Sequence, residues 1–248
     1  MKRTVTMDDG IQFGLGAFET IAVEQGKGVL LSRHLARLDR SARFLGLGDL
    51  TERGLTMERA AEWIGENCPG HSACKILLTQ ENLVMQTRPN PYGPARYERG
   101  FRMDFSAVRR NETSPLTEHK TLNYGDCILE HRAAAAAGMD ERIFLNTRGK
   151  LAEGTVSNLF LVSGGRIYTP ALSCGLLPGV LRSYVLERYR VEEGEIDQRE
   201  LGSFDECFVT NSLMGVMPVK QLGERIFPSR ETADRLRSAY EAEKETLK

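Results

Sequence analysis

The sharpest local pattern in this sequence is His119-Lys120-Thr121-Leu122-Asn123-Tyr124, a lysine at the point where an irregular stretch gives way to a helix. A lysine amine attacks a carbonyl only when it is unprotonated, and a lysine at such a junction is by default a solvated charge. Its company changes that reading. Glu153-Gly154-Thr155-Val156-Ser157-Asn158-Leu159-Phe160 follows, and after it Gly175-Leu176-Leu177-Pro178-Gly179-Val180-Leu181-Arg182. The first of these blocks offers a carboxylate at a strand end. The second puts glycine ahead of a helix beginning near Val180, where backbone N–H groups and the helix dipole favour an anion. Neither a metal-ligand spacing nor a Walker-type phosphate loop is present.

Taken in this order, and with Phe13-Gly14-Leu15-Gly16-Ala17-Phe18-Glu19-Thr20 and His34-Leu35-Ala36-Arg37-Leu38 upstream, the blocks resemble the fold-type IV pyridoxal-phosphate (PLP) enzymes. That superfamily includes branched-chain aminotransferase, D-amino-acid transaminase and aminodeoxychorismate lyase. The resemblance runs from about residue 11 to residue 219. It implies a two-domain α/β (α+β) fold of the D-amino-acid-aminotransferase-like kind, PLP as cofactor, an active site between the domains, and a homodimer. Lys120 resembles the lysine that carries the cofactor as a Schiff base and moves protons once released. Glu153 resembles the carboxylate facing the pyridine nitrogen, where a negative charge keeps the ring an electron sink. Arg37 resembles the phosphate-binding arginine, a task suited to a forked and permanently charged donor; the bland alternative is a solvated helix charge beside Arg33 and Arg40. Val180 and Leu181 would add backbone N–H groups, and Ser212 a hydroxyl, to the phosphate cup. Tyr124 matches a position that can hydrogen-bond the cofactor's phenolic oxygen, with a core tyrosine as the alternative. His34 and His119 read as capping or packing residues.

Three further features resemble aminodeoxychorismate lyase, which releases pyruvate to give 4-aminobenzoate. They are the stretch Thr210-Asn211-Ser212-Leu213-Met214 with Met217-Pro218-Val219, Lys75 where branched-chain enzymes have arginine, and the Lys-Thr-Leu-Asn spacing. A branched-chain or D-amino-acid aminotransferase is the alternative. A PLP-binding protein without turnover is a second alternative, opposed by the presence of Lys120, Glu153 and Arg37 together. Two departures stand out. Leu15 replaces a common aspartate, and Gln80-Glu81-Asn82 stands where D-amino-acid transaminases carry an arginine-rich loop. Lys75, Arg88 and Asn211 are therefore the candidate substrate-carboxylate ligands.

The elements that must position these residues are legible from periodicity. Phe18 to Val23 and Val29 to Leu31 predict a hairpin about Gly26-Lys27-Gly28, followed by a helix from an N-cap at Ser32 to about Leu45. A second helix is expected over Met57 to Asn67, paired strands over Lys75–Thr79 and Leu83–Thr87, and a half-buried strand over Phe101–Ala107. Residues 109–117 lack periodicity, so the domains are expected as 1–110, a small α/β domain, and 118–248, a larger cofactor-binding domain, with a linker at 111–117. The second domain is expected to hold a helix over Leu122–Ala137, strands over Ile143–Leu145, Leu151–Val162, Ile167–Thr169 and Cys207–Thr210, a helix from Val180, and a terminal helix from about Ser229.

The bulk composition is consistent with such an enzyme. The 248 residues carry a net charge of −1, with 41% hydrophobic and 27% charged residues. Acidic and basic residues are mixed throughout, which argues against a nucleic-acid surface built on bulk charge. No apolar run approaches membrane-spanning length. The five cysteines are odd in number and share no CxxC spacing, as expected of reduced thiols in a cytoplasmic protein.

Overall fold

A computed structural model describes residues 4–247. The chain divides into two compact units. One takes the chain up to Pro91, His119–Tyr124 and the chain from Glu243; the other takes Tyr92–Glu118 and Gly125–Ala242.

The first unit is built on a four-stranded antiparallel sheet of β1 (Ala17–Glu24), β2 (Lys27–Gly28), β3 (Ser72–Leu78) and β4 (Leu83–Pro89), in the order β2-β1-β3-β4. Three helices accompany it: α1 (Asp9–Phe13), α2 (Leu31–Phe44) and α3 (Met57–Asn67). Leu31, Leu35, Leu38 and Ala42 recur at helical spacing along α2 and share one core with Ile21, Val23, Ile64 and Ile76. The α3 helix spans the residues its periodicity predicts, and the Thr56 hydroxyl caps it by accepting from the Arg59 N–H. The expected cap of α2 differs. The helix begins at Leu31 after Leu30, which has a positive φ of 53° and no side-chain cap. Both leucines are buried, so packing of the tight hairpin-to-helix turn outweighs capping by Ser32.

The second unit holds a nine-stranded sheet. After α4 (Pro94–Arg99) come β5 (Phe101–Arg110), α5 (Gly125–Ala136), β6 (Glu141–Asn146), β7 (Leu151–Gly154), β8 (Asn158–Ser163), β9 (Arg166–Pro170) and α6 (Val180–Arg188). The chain ends through β10 (Val191–Gly194), β11 (Glu206–Asn211), β12 (Gly215–Leu222), β13 (Arg225–Ile226) and α7 (Glu231–Glu243). The path β10-β9-β8-β11-β12-β5-β6-β7 turns back on itself where β7 also pairs with β8, and β13 adds to β12. Alternate residues, among them Met103, Ile143, Leu145, Leu151, Leu159, Leu161, Val209 and Met217, form the core that this curled sheet surrounds.

Several expectations shift. Residues 101–110 pair in parallel with β6 and β12 of the second unit, so the first division of the chain falls at Pro91, not at residue 110. Residues 119–124 return to the first unit, and α5 starts only at Gly125. The run 151–162 is two strands with a turn between them. Strand β12 was not among the expected strands; its Pro218, which cannot donate to a ladder, sits one residue from the register shift between Val219 and Gln221. The five cysteines are all buried. Among the described residues no helix is long and apolar enough to cross a membrane, and no group of His, Cys, Asp and Glu could hold a metal ion.

Candidate active site

In the first unit, the segment 119–124 is laid along β1. The Phe18 N–H donates to the Lys120 carbonyl at 2.9 Å, the Leu122 N–H donates to Gly16 at 2.8 Å, and Thr121 bridges Ala17. This fixes the backbone of Lys120 and sends its amine against aromatic rings. Lys120 Nζ lies 4.5 Å from the Phe18 ring centre and 4.9 Å from that of Tyr124, and the two rings meet edge-on at 5.1 Å. Lys75, facing Thr20 across the β1–β3 ladder, brings a second amine to 4.9 Å from the Phe18 ring. Burial pushes the Lys75 amine below its usual pKa, and the charge of Arg88 adds to this. Arg88 itself stands on the exposed end of β4.

Arg37 is 6% exposed on α2, which disposes of the solvated-charge alternative. Its Nε and Nη2 donate to the two oxygens of Glu19, each at 2.7 Å, and His34 Nδ1 lies 2.7 Å from the same carboxylate. Burial opposes ionisation of Glu19, but Arg37 and His34 outweigh it and hold the carboxyl far below the usual carboxylate range. Burial pushes His34 down in turn, with the Glu19 carboxylate opposing that shift. His119 does pack: its ring stacks on Phe44 at 4.0 Å, and Nδ1 lies 3.3 Å from the Ser41 hydroxyl.

In the second unit, Glu153 is the next-to-last residue of β7 and is 5% exposed. One carboxylate oxygen takes a short hydrogen bond from Arg110 Nη2, and the other accepts from the Leu177 N–H at 3.0 Å. Glu153 is paired with Asn158, and Asn158 with Thr210, across adjacent antiparallel strands. Directly paired residues project to one face, so the three side chains form a polar row. Asn158 Nδ2 donates to the Leu177 carbonyl at 2.9 Å. Helix α6 follows with Val180 and Leu181 buried, and its N-cap, Gly179, offers no side chain to its first N–H groups. Ser212 is half-buried in the turn after β11. The Asn211 side chain closes that turn: its oxygen accepts from the Leu213 and Met214 N–H groups at 2.9 Å, and its amide donates to Val156. Those bonds commit Asn211 to local structure.

The family model for class IV amino-transferases matches residues 16–222. The chain belongs to the class IV aminotransferase family. That family is one of PLP-dependent enzymes, so the chain is an enzyme of this class. A putative branched-chain-amino-acid aminotransferase of Methanocaldococcus jannaschii is 26% identical, over 92% of this chain and 85% of the relative. An aminodeoxychorismate lyase of Bacillus subtilis is also 26% identical, over 88% of this chain and 80% of the relative. Among solved structures, 4-amino-4-deoxychorismate lyase from Pseudomonas aeruginosa matches with a TM-score of 0.87 at 28% identity, over 98% of this chain and 96% of that one.

The residues present fit the class IV cofactor on three structural observations. A buried carboxylate is fixed by two donors, as a partner for a protonated ring nitrogen requires. A helix N-terminus lacks a side-chain cap, and a Cβ at its N-cap Gly179 would stand 2.0 Å from Asn158 Oδ1. The buried Thr210 hydroxyl has no hydrogen-bond partner among the described residues.

Three supporting residues escaped the sequence reading. Glu19 lay inside a quoted motif without a task, and Arg110 lay at the edge of the stretch read as linker. Glu141 went unnoticed altogether. It is 1% exposed and accepts from the Val156 N–H at 2.7 Å, the Ser157 hydroxyl at 2.9 Å and the Thr155 hydroxyl at 3.2 Å, which ties down the turn after Glu153. Burial pushes its pKa up to about 7 despite these bonds, and the charge of Glu153 adds to the rise. An acid raised in the folded state stabilises the fold when protonated, so stability falls as pH climbs from about 4.5 through 7. Glu141→Gln is expected to remove roughly 2–3 kcal/mol of that fall. Urea unfolding at pH 5 and pH 8 measures it, and an unchanged difference between the two pH values would refute the assignment.

Proposed function

We propose that the chain is a PLP-dependent aminodeoxychorismate lyase, converting 4-amino-4-deoxychorismate to 4-aminobenzoate and pyruvate. The carrying observation is the second amine, that of Lys75, beside the ring on which Lys120 rests. A substrate with two carboxylates needs a cation near the reactive amine, and Lys75 supplies one. Likeness to the lyases of Pseudomonas aeruginosa and Bacillus subtilis supports the same reading.

In this reading Lys120 carries the cofactor, Tyr124 lies beside it, and Arg37 takes the phosphate. Glu153 faces the ring nitrogen, while the Val180 and Leu181 N–H groups and the Ser212 hydroxyl complete the phosphate contacts. When bound, PLP supplies an aldehyde that condenses with an amine and a ring that withdraws the electrons left by proton removal. With the substrate's ring amine held by the cofactor, the Lys120 amine would be free to take the proton from the ring carbon bearing that nitrogen. The C–O bond on the neighbouring carbon breaks and the ring becomes aromatic. The enolpyruvate that leaves is protonated on carbon to give pyruvate, and the returning Lys120 amine displaces 4-aminobenzoate. Lys75 and, from the exposed edge of β4, Arg88 hold the substrate carboxylates. The protein works as a homodimer in the cytoplasm.

The likeness to the Methanocaldococcus jannaschii relative favours a second reading, a branched-chain or D-amino-acid aminotransferase. There the same Lys120 amine would move the α-proton of an amino acid. The deciding experiment offers the PLP-loaded protein aminodeoxychorismate, and separately branched-chain and D-amino acids with 2-oxoglutarate. Release of 4-aminobenzoate with pyruvate supports the lyase; amino transfer without that release replaces it. Lys75→Ala is expected to raise KM for aminodeoxychorismate about tenfold or more, since a hydrogen bond to a charged group is lost, with kcat nearly unchanged. An unchanged KM would remove Lys75 from the substrate site.

A further inference from the structure

The polar row across β7, β8 and β11 has one member left over. Glu153 at one end is held by Arg110 and the Leu177 N–H, and Asn158 in the middle holds the Leu177 carbonyl. Thr210 at the other end is 1% exposed, and its hydroxyl has no hydrogen-bond partner among the described residues. A buried hydroxyl without a partner is costly, and natural cores seldom keep one without a use. A valine would fill the same space in a strand at no such cost. The segment that crosses the row gives the hydroxyl its direction. Leu177 sits over Glu153 and Asn158, and Gly179 lies so near Asn158 that no side chain fits between them. Helix α6 starts at the next residue, on the same face as Thr210 and without a side-chain cap.

We propose that Thr210 is a further ligand of the cofactor phosphate, its hydroxyl donating to the anion at the N-terminus of α6. This rests on the reading above, in which that helix terminus receives the phosphate of PLP. The row supports it independently. Two strand spacings separate Glu153 from Thr210, about 10 Å between backbones. A pyridine ring whose nitrogen met Glu153 would carry its phosphate arm away from that residue, and Thr210 stands at the other end of the row. The hydroxyl therefore gains its partner only when the cofactor is bound. Its unsatisfied state in the protein alone is a cost that binding repays.

Thr210→Val and Thr210→Ser test this by equilibrium binding of PLP and of pyridoxal, which lacks the phosphate. Thermal unfolding of the cofactor-free proteins provides a second readout. Thr210→Val is expected to weaken PLP binding about tenfold, to leave pyridoxal binding unchanged, and to raise the cofactor-free Tm by about 2–4 °C. Thr210→Ser keeps the donor and should bind PLP within about twofold of wild type. An unchanged PLP affinity in Thr210→Val overturns the proposal, as does equal weakening toward PLP and pyridoxal, which would mark a purely structural residue. If wild type binds PLP no better than pyridoxal, the phosphate reading itself fails and the proposal with it. A wild-type preference for PLP that survives Thr210→Val sinks the proposal alone.

Discussion

Lys120→Ala is expected to cut turnover by at least about 10⁴-fold while the protein folds normally, because in the proposed function one amine both carries the cofactor and moves the proton. The fold should tolerate the change on two grounds. Lys120 is anchored through its backbone carbonyl, which accepts from the Phe18 N–H, and alanine keeps that bond. Its amine rests on the rings of Phe18 and Tyr124, a contact worth roughly 0.5–2 kcal/mol. The Tm should therefore move by only a few degrees. Release of 4-aminobenzoate, followed by its fluorescence, measures turnover. Lys75→Ala is the control, since it removes the other amine on the same Phe18 ring. If Lys120→Ala retained more than about a hundredth of the wild-type rate, Lys120 would be neither the carrier nor the proton-moving group.

Much of this arrangement was legible because it is local. The α3 helix could be bounded from its apolar spacing, and Lys120, Glu153 and Val180 stood out inside contiguous motifs. Residues whose role depends on distant pairing were not legible. The β5 strand looked like part of the first domain, yet its partners lie far ahead in the chain, on β6 and β12. No local period encodes a parallel pairing. Arg110 was lost with it, because the last residue of β5 was read as the start of a linker. Glu19 and Glu141 illustrate the same limit for charges. A lone glutamate in a strand reads as solvent-facing, and only the fold shows that Arg37 waits beside one and three donors of the 155–157 turn beside the other.

The second large effect concerns Glu153. Glu153→Gln is expected to lower kcat about 10²–10³-fold with PLP still bound, because the group proposed to face the ring nitrogen loses its charge while the phosphate contacts remain. The same change should cost stability, and the reason lies in Arg110. That guanidinium meets Glu153 with little solvent on either side, the two side chains being 17% and 7% exposed. A neutral amide leaves the arginine without its counter-charge and turns an NH₂ group toward it or toward the Leu177 N–H. Breaking such a pair by neutralising one partner costs about 3–5 kcal/mol when burial is complete, and about half that is reasonable for this partly screened pair. The two effects can be separated. Glu153→Gln combined with Arg110→Gln removes both charges and should recover most of the lost stability in urea. It should recover none of the lost turnover, because the ring nitrogen still lacks its carboxylate. Recovery of turnover together with stability would mean that Glu153 serves the fold through Arg110 and has no part in the chemistry.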